Sequence, residues 1–238
     1  MKGPLFYSKI LLFGEYGIIQ DSKGLSIPYN FYNGALKKED HPSQDAIASN
    51  GHLKRFVTYL ESLQTEQPDL VQFDIATLQK DVNEGMYFDS SIPQGYGVGS
   101  SGALVAAIYD KYAQHKITVL ENLTREKLLE LKTIFSQMES FFHGKSSGLD
   151  PLNSYLSIPI LINSKDNIEA TGIPTQSFDG KGAVFLLDSG ILGETASMVN
   201  IFMENLKDQG FRTMLKSQFV KHTDACVENF LVGDIKAL

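Results

Sequence analysis

One stretch restricts the fold more than any other: Ile92-Pro-Gln-Gly-Tyr-Gly-Val-Gly-Ser-Ser-Gly-Ala-Leu-Val-Ala-Ala107, in which closely spaced glycines give way at once to an apolar, helix-forming run. Glycine at such density serves left-handed φ angles or a close approach of the backbone to something else. Met86 to Ile92 before it reads as a short strand, and Ser101 to Gln114 after it as a helix that is polar at its start and alanine-rich later. The first amides of that helix are unpaired and carry the positive end of its dipole. Strand, glycine turn and helix together can cradle phosphate. Taken alone, the segment is equally consistent with a structural loop. Ser100 and Ser101 stand at the helix mouth, where a hydroxyl can cap the helix, bond a phosphate or ligate a metal. Neither common phosphate loop is present. No lysine follows the glycines, and Glu121, at the distance where a dinucleotide fold needs an acid on a strand end, sits between two helices.

The rest of the chain reads as mixed helix and strand without regular βαβ alternation, so the fold class is α+β. Leu5 to Gly14 is strand-like, and Gly14 to Gly24 a hairpin leading into a strand over Leu25 to Phe31. Lys37 to Asn50 reads as a surface loop. Leu53, Phe56, Val57, Leu60 and Leu63 recur at the spacing of an amphipathic helix. Thr124 is placed to cap a long helix to Phe142, with a core stripe of Leu128, Leu131, Phe135, Met138 and Phe142. Ile158 to Ile162 and Ala183 to Leu187 read as buried strands, Glu194 to Lys207 and Phe211 to Phe230 as helices.

A chain of 238 residues can bury a substantial core. Its formal charge of −7 argues against a nucleic-acid or anionic-membrane binder. No apolar run approaches the length of a membrane span. The lone cysteine, Cys226, excludes an internal disulfide framework, fits a reducing compartment and reads as a small buried hydrophobe. The expected location is the cytoplasm. His41, His52, His115 and His222 show no paired metal spacing, and His143 reads as a supporting residue.

Two further segments carry chemistry-bearing side chains. Ser8-Lys-Ile-Leu-Leu-Phe-Gly-Glu-Tyr16 is an apolar strand with Lys9 and Glu15 at its ends, which either snorkel to solvent or face a site. In Glu139-Ser-Phe-Phe-His-Gly-Lys-Ser-Ser-Gly-Leu-Asp150, Glu139 falls on the edge of the apolar stripe. A carboxylate there needs a basic partner or a cation. Asp150, followed by Pro151, suits a helix N-cap as well as a reactive role.

Pro93-x-Gly95-x-Gly97-x-Gly99-Ser100-Ser101 resembles the second signature of the GHMP kinases (galacto-, homoserine, mevalonate and phosphomevalonate kinases), and the other two segments follow the mevalonate kinase pattern in the same order. The resemblance implies a two-domain fold. Residues 1–180 would form the N-terminal domain and 181–238 the start of a ferredoxin-like C-terminal domain, truncated because no third glycine-rich signature follows Gly210. It implies ATP and Mg2+ as cofactors, with Pro93, Gly95, Gly97, Gly99, Ser100 and Ser101 around the nucleotide phosphates and Ser101 and Glu139 on the metal. It implies Asp150 and Lys9 as catalytic residues at the acceptor hydroxyl. Glu15, Tyr16 and Ser147, with the weaker matches Asp188 and Thr195, would line the acceptor pocket. Tyr16 departs from the histidine usual at its position, which leaves the acceptor open.

The implied reaction is transfer of the γ-phosphoryl group to a small-molecule alcohol, foremost mevalonate. Diphosphomevalonate decarboxylase, another GHMP kinase and a non-catalytic nucleotide binder stand as alternatives. No nucleic-acid or membrane partner is expected, and a homodimer is left open.

Overall fold

The computed structural model describes residues 4–119, 122–174, 186–187, 190 and 195–238. Strands β1 (Phe6–Phe13), β2 (Gly24–Lys37), β3 (Tyr87–Ser90), β4 (Ile160–Ser164) and β5 (Asn167–Ala170) form a sheet of order β1-β2-β4-β5, with β3 also pairing with β2. The helices are α1 (Gln44–Glu66), α2 (Ile75–Asn83), α3 (Ser100–Tyr112), α4 (Arg125–His143), α5 (Leu149–Leu156), α6 (Thr195–Asn205), α7 (Gln209–Met214) and α8 (Lys221–Val232), the last two joined by a π-helical stretch, Leu215–Val220. The α+β class holds. The chain divides into two compact units: Met1–Ile10, Pro28–Pro93 and Val98–Ser157 form one, Leu11–Ile27, Gln94–Gly97 and Ile158–Leu238 the other.

In the first unit β3 runs antiparallel to the end of β2, pairing Gly34 with Ser90 and Lys37 with Tyr87. Its core is built by periodicity. Leu53, Phe56 and Leu60 of α1, Leu78 of α2, Tyr109 of α3, Leu131 and Phe135 of α4 and Leu152 of α5 are all buried. Tyr109 meets Phe135 and Tyr155 edge-on at 5.0 and 5.2 Å. Both phenols keep a polar partner, Tyr109 accepting from the Ile117 amide and Tyr155 donating to the Ile117 carbonyl, as buried tyrosines require. Small residues put α3 at the centre of this core, which explains its alanine-rich sequence: Gly102, Ala103, Ala106 and Ala107 are all buried. Asp81 of α2 gathers Lys38, Lys111 and Tyr112. Burial would raise its pKa, but these hydrogen bonds outweigh it and hold the carboxylate well below the usual range.

In the second unit β4 pairs with the start of β2, Gly24 opposite Ile162, and turns back into β5. Val227 of α8 packs with Leu25 and Leu161, and Asp224 accepts the Lys23 amide at 2.7 Å. Phe202, Leu206 and Leu215 form a separate cluster that takes in Tyr16. A cavity of about 630 Å³ lies between the end of β1 and the 214–226 helical run, lined by Leu11 to Glu15, Met214, Phe219, His222 and Cys226, among others.

Several boundaries differ from those read in the sequence. Lys37 to Asn50 is not a loop: β2 reaches Lys37 and α1 starts at Gln44. The polar run that suggested a loop contains the helix cap, Ser43, whose side chain accepts from the Ala46 amide, and Asn50, whose amide bridges the Val82 and Met86 carbonyls. Asp150 does not cap α5; Gly148 does, and Asp150 lies in the first turn. Cys226 is half-buried rather than a core residue, because it faces the cavity. Of the strand expected over 183–187 only Leu186 and Leu187 are described, and both side chains are exposed.

Candidate functional site

Lys9, Ser101, Glu139 and Asp150 come together within the first unit, each delivered by a different element. β1 presents Lys9, whose amide donates to the Val98 carbonyl at 3.0 Å and so fastens the strand to the end of the glycine turn. Gly95, Gly97 and Gly99 all have φ in the left-handed region, at 80°, 68° and 84°. These are angles that side chains with a Cβ rarely take. Gly99 is the N-cap of α3 and offers no side chain to its amides. The first amides of α3 are therefore left for another acceptor, beside the Ser100 and Ser101 hydroxyls.

Asp150 arrives on the first turn of α5, at its positive end. Its Oδ1 lies 3.0 Å from the ammonium of Lys9, a residue only 8 % exposed. The starts of α3 and α5 are pressed together: a Cβ on Gly102 would meet the Asp150 carbonyl carbon and the Pro151 nitrogen at 2.8 Å. Gly102 thus sets how near Asp150 stands to the phosphate-type turn.

Glu139 is 4 % exposed on the core-facing edge of α4. Its Oε1 accepts the Ser101 hydroxyl at 2.8 Å and its Oε2 the Ser146 hydroxyl at 2.5 Å. Ser146 is held in turn by its own carbonyl, which accepts from Ser136 at 2.6 Å, and by the Gly148 amide, which donates to its Oγ at 3.0 Å. Burial, reinforced by the negative charge of Asp150, pushes the Glu139 pKa up to about 7, against the opposing pull of its two serine donors and Lys9. It forms no salt bridge among the described residues. Among them, too, no group of three His, Cys, Asp or Glu could hold a metal by itself. A buried carboxylate and a hydroxyl beside free helix amides fit a hard divalent cation shared with phosphate oxygens.

The other residues singled out in the sequence lie elsewhere. Pro93 precedes the turn in the first unit, and Gly95 and Gly97 are assigned to the second. Glu15 lines the 630 Å³ cavity. Tyr16, at φ 57°, packs its ring 5.3 Å from Phe202. Ser147 is exposed, and its Oγ accepts from the Leu149 amide at 3.3 Å. Thr195 begins α6, with its side chain outside the description, and Asp188 lies outside the described residues. Sequence reasoning passed over Ser146, Gly102 and the contact of His143 with Ser101. Ser146 stood in view as a hydroxyl in the turn before Gly148; the other two depend on helix–helix approach.

Residues 61–157, from the end of α1 through the glycine turn to the end of α5, match the family model described as the GHMP kinases N terminal domain. Over those residues the chain is similar to a GHMP kinase N-terminal domain. Solved mevalonate kinases share the fold of this chain. The crystal structure of the Methanococcus jannaschii mevalonate kinase is 14 % identical, with a TM-score of 0.52, covering 97 % of this chain and 73 % of that one. A second mevalonate kinase crystal structure is also 14 % identical, with a TM-score of 0.52 and coverage of 95 % and 72 %. No curated protein sequence matches the chain. At that identity the structural likeness is one of fold, and the acceptor has to be sought in the chain's own side chains.

Proposed function

We propose that the protein is an ATP-dependent phosphotransferase acting on a small alcohol, with mevalonate as the leading acceptor, in the cytoplasm. The observation that carries this reading is the convergence, in one unit, of the Lys9–Asp150 pair and the Ser101–Glu139 pair at the adjoining starts of α3 and α5. Phosphoryl transfer asks a protein for positioning and charge neutralisation rather than covalent chemistry, and both are supplied here by short-range geometry. The choice of mevalonate rests on the likeness of the three segments to the mevalonate kinase pattern.

In this reading the main-chain amides of the Gly95–Ser101 turn, together with the Ser100 hydroxyl and the dipole of α3, hold the nucleotide phosphates; Pro93 gives the turn its entry. Ser101 and Glu139 hold Mg2+, which when bound neutralises charge on the phosphate oxygens. Asp150 accepts the acceptor hydroxyl's proton, a contribution of about 10²–10⁴ in rate. Lys9, fastened to the turn through its amide, keeps Asp150 oriented and offers a donor to the developing alkoxide. Of the expected acceptor contacts, Ser147 lies in the same unit as Asp150 and stays in this proposal. Among the described residues no helix is long and apolar enough to cross a membrane.

The test is ADP release with mevalonate, phosphomevalonate, diphosphomevalonate, homoserine and galactose as acceptors. ADP formed with mevalonate in a Mg2+-dependent manner is expected. ADP formed only with a different acceptor reassigns the substrate. Release of carbon dioxide from diphosphomevalonate identifies a decarboxylase, and binding of ADP without turnover on any acceptor overturns the kinase reading.

A further inference from the structure

The Ser101 hydroxyl has two neighbours and one proton. Its Oγ lies 2.8 Å from Glu139 Oε1 and 3.0 Å from His143 Nε2. Glu139 and His143 are one turn apart on α4 and present their side chains to the same place. When Glu139 is ionised the hydroxyl donates to it, and a proton on His143 Nε2 then donates to Oγ. A cation held by both Oγ and Glu139 would compete with this. One lone pair of the oxygen would go to the metal, the O–H would turn away from the metal-bound Oε1, and an Nε2–H would face an oxygen already sharing its electrons with the cation. The acceptor in reach of the turned hydroxyl is His143 Nε2 in the tautomer that carries its proton on Nδ1. The ring is exposed at the end of α4.

We propose that His143 is a positioning residue for the metal. Its Nε2 accepts the Ser101 hydroxyl when the cation engages Oγ, turning the serine's lone pairs toward the site beside Glu139. The inference rests on the phosphotransferase reading and deepens it. It gives a role to the histidine of the His143-Gly-Lys-Ser-Ser-Gly-Leu-Asp150 turn that neither the acid–base pair nor the phosphate amides supply.

The experiment titrates Mn2+ into the full chain with ADP, followed by electron paramagnetic resonance, for wild type, His143→Leu and His143→Gln. ADP affinity in chelator serves as a control. Gln places an amide oxygen near the position of Nε2; Leu places nothing that accepts. His143→Leu is expected to weaken Mn2+ binding by about 10–100-fold, the scale at which residues behind metal ligands act. His143→Gln should return to within about threefold of wild type, the scale of a small hydrogen-bond difference, and ADP affinity in chelator should be the same in all three. In protein labelled with 15N-histidine and held at pH 8, where Glu139 is ionised, the His143 Nε2 resonance should pass from protonated to unprotonated when Mg2+ joins ADP. Wild-type protein that binds no Mn2+ with ADP overturns both this inference and the phosphotransferase reading. Wild-type binding equalled by His143→Leu, a Gln variant as weak as Leu, a loss of metal-free ADP affinity in the Leu variant, or an Nε2 that stays protonated overturns the inference about His143 alone.

Discussion

Glu139 is held in a place that favours its neutral form, and this has a measurable cost. An unfolded chain gives up the glutamate proton near pH 4.5, whereas the folded protein keeps it until about pH 7. Between these values the native state binds more protons, so its stability is greatest at the acid end and falls as the pH rises through 7, by about 3 kcal/mol in all. Glu139→Gln removes the charge and keeps one acceptor oxygen, while the other serine contact has to reverse, the amide donating to the hydroxyl. The variant should be more stable than wild type at pH 8 by up to about that amount, in metal-free denaturant titrations, while losing metal-dependent turnover. A Gln variant no more stable than wild type at pH 8 would remove the electrostatic cost. Asp150→Asn acts on the other pair: it should retain ADP affinity by calorimetry and lose about 10²–10⁴ in kcat, and near-normal turnover would exclude Asp150 as the proton acceptor. Both carboxylates were legible in the sequence as acids beside an apolar stripe and a Ser-Gly turn. Ser146 was not, because which hydroxyl reaches Oε2 is set by how the 144–148 turn folds back on α4.

At the scale of elements, the close approach of α3 and α5 rests on one missing methyl group. Alanine at position 102 would gain about 1 kcal/mol of helix propensity, yet its Cβ would stand 2.8 Å from the backbone of Asp150. Relief of such crowding costs about 1–3 kcal/mol. Gly102→Ala should therefore lose about 1 kcal/mol in urea unfolding, and kcat should fall further than ADP affinity as Asp150 is displaced. Unchanged kcat would show that the two helix starts can separate without consequence. Ser43→Ala tests the start of α1, which composition concealed; loss of the cap should cost about 1 kcal/mol by the same measurement. The long helices were legible from their apolar spacing, and α4 begins at the expected cap, Thr124. The short elements α2, α5 and β5 carry too few turns or alternations for a pattern to emerge, and they are fixed by what they pack against.

For the molecule as a whole, a ligand that binds only the folded state should raise stability by about 2.7 kcal/mol at one hundred times its dissociation constant. Mg2+ with ADP should raise the melting temperature of wild type in thermal shift and do so less for Glu139→Gln, whereas ADP in chelator should treat the two alike. A shift equal in both proteins would take Glu139 out of the metal site. The order of the three motifs, the α+β class and the helix-after-glycine grammar follow from the sequence alone. They rest on local rules: period, capping and the angles that only glycine adopts cheaply. The tertiary structure decided which of those residues meet. Lys9 and Asp150, 141 positions apart in the chain, touch because β1 is tied to the glycine turn and α5 leans on Gly102. Such contacts between distant positions depend on how whole elements pack, and no local pattern encodes the distance between two helix ends.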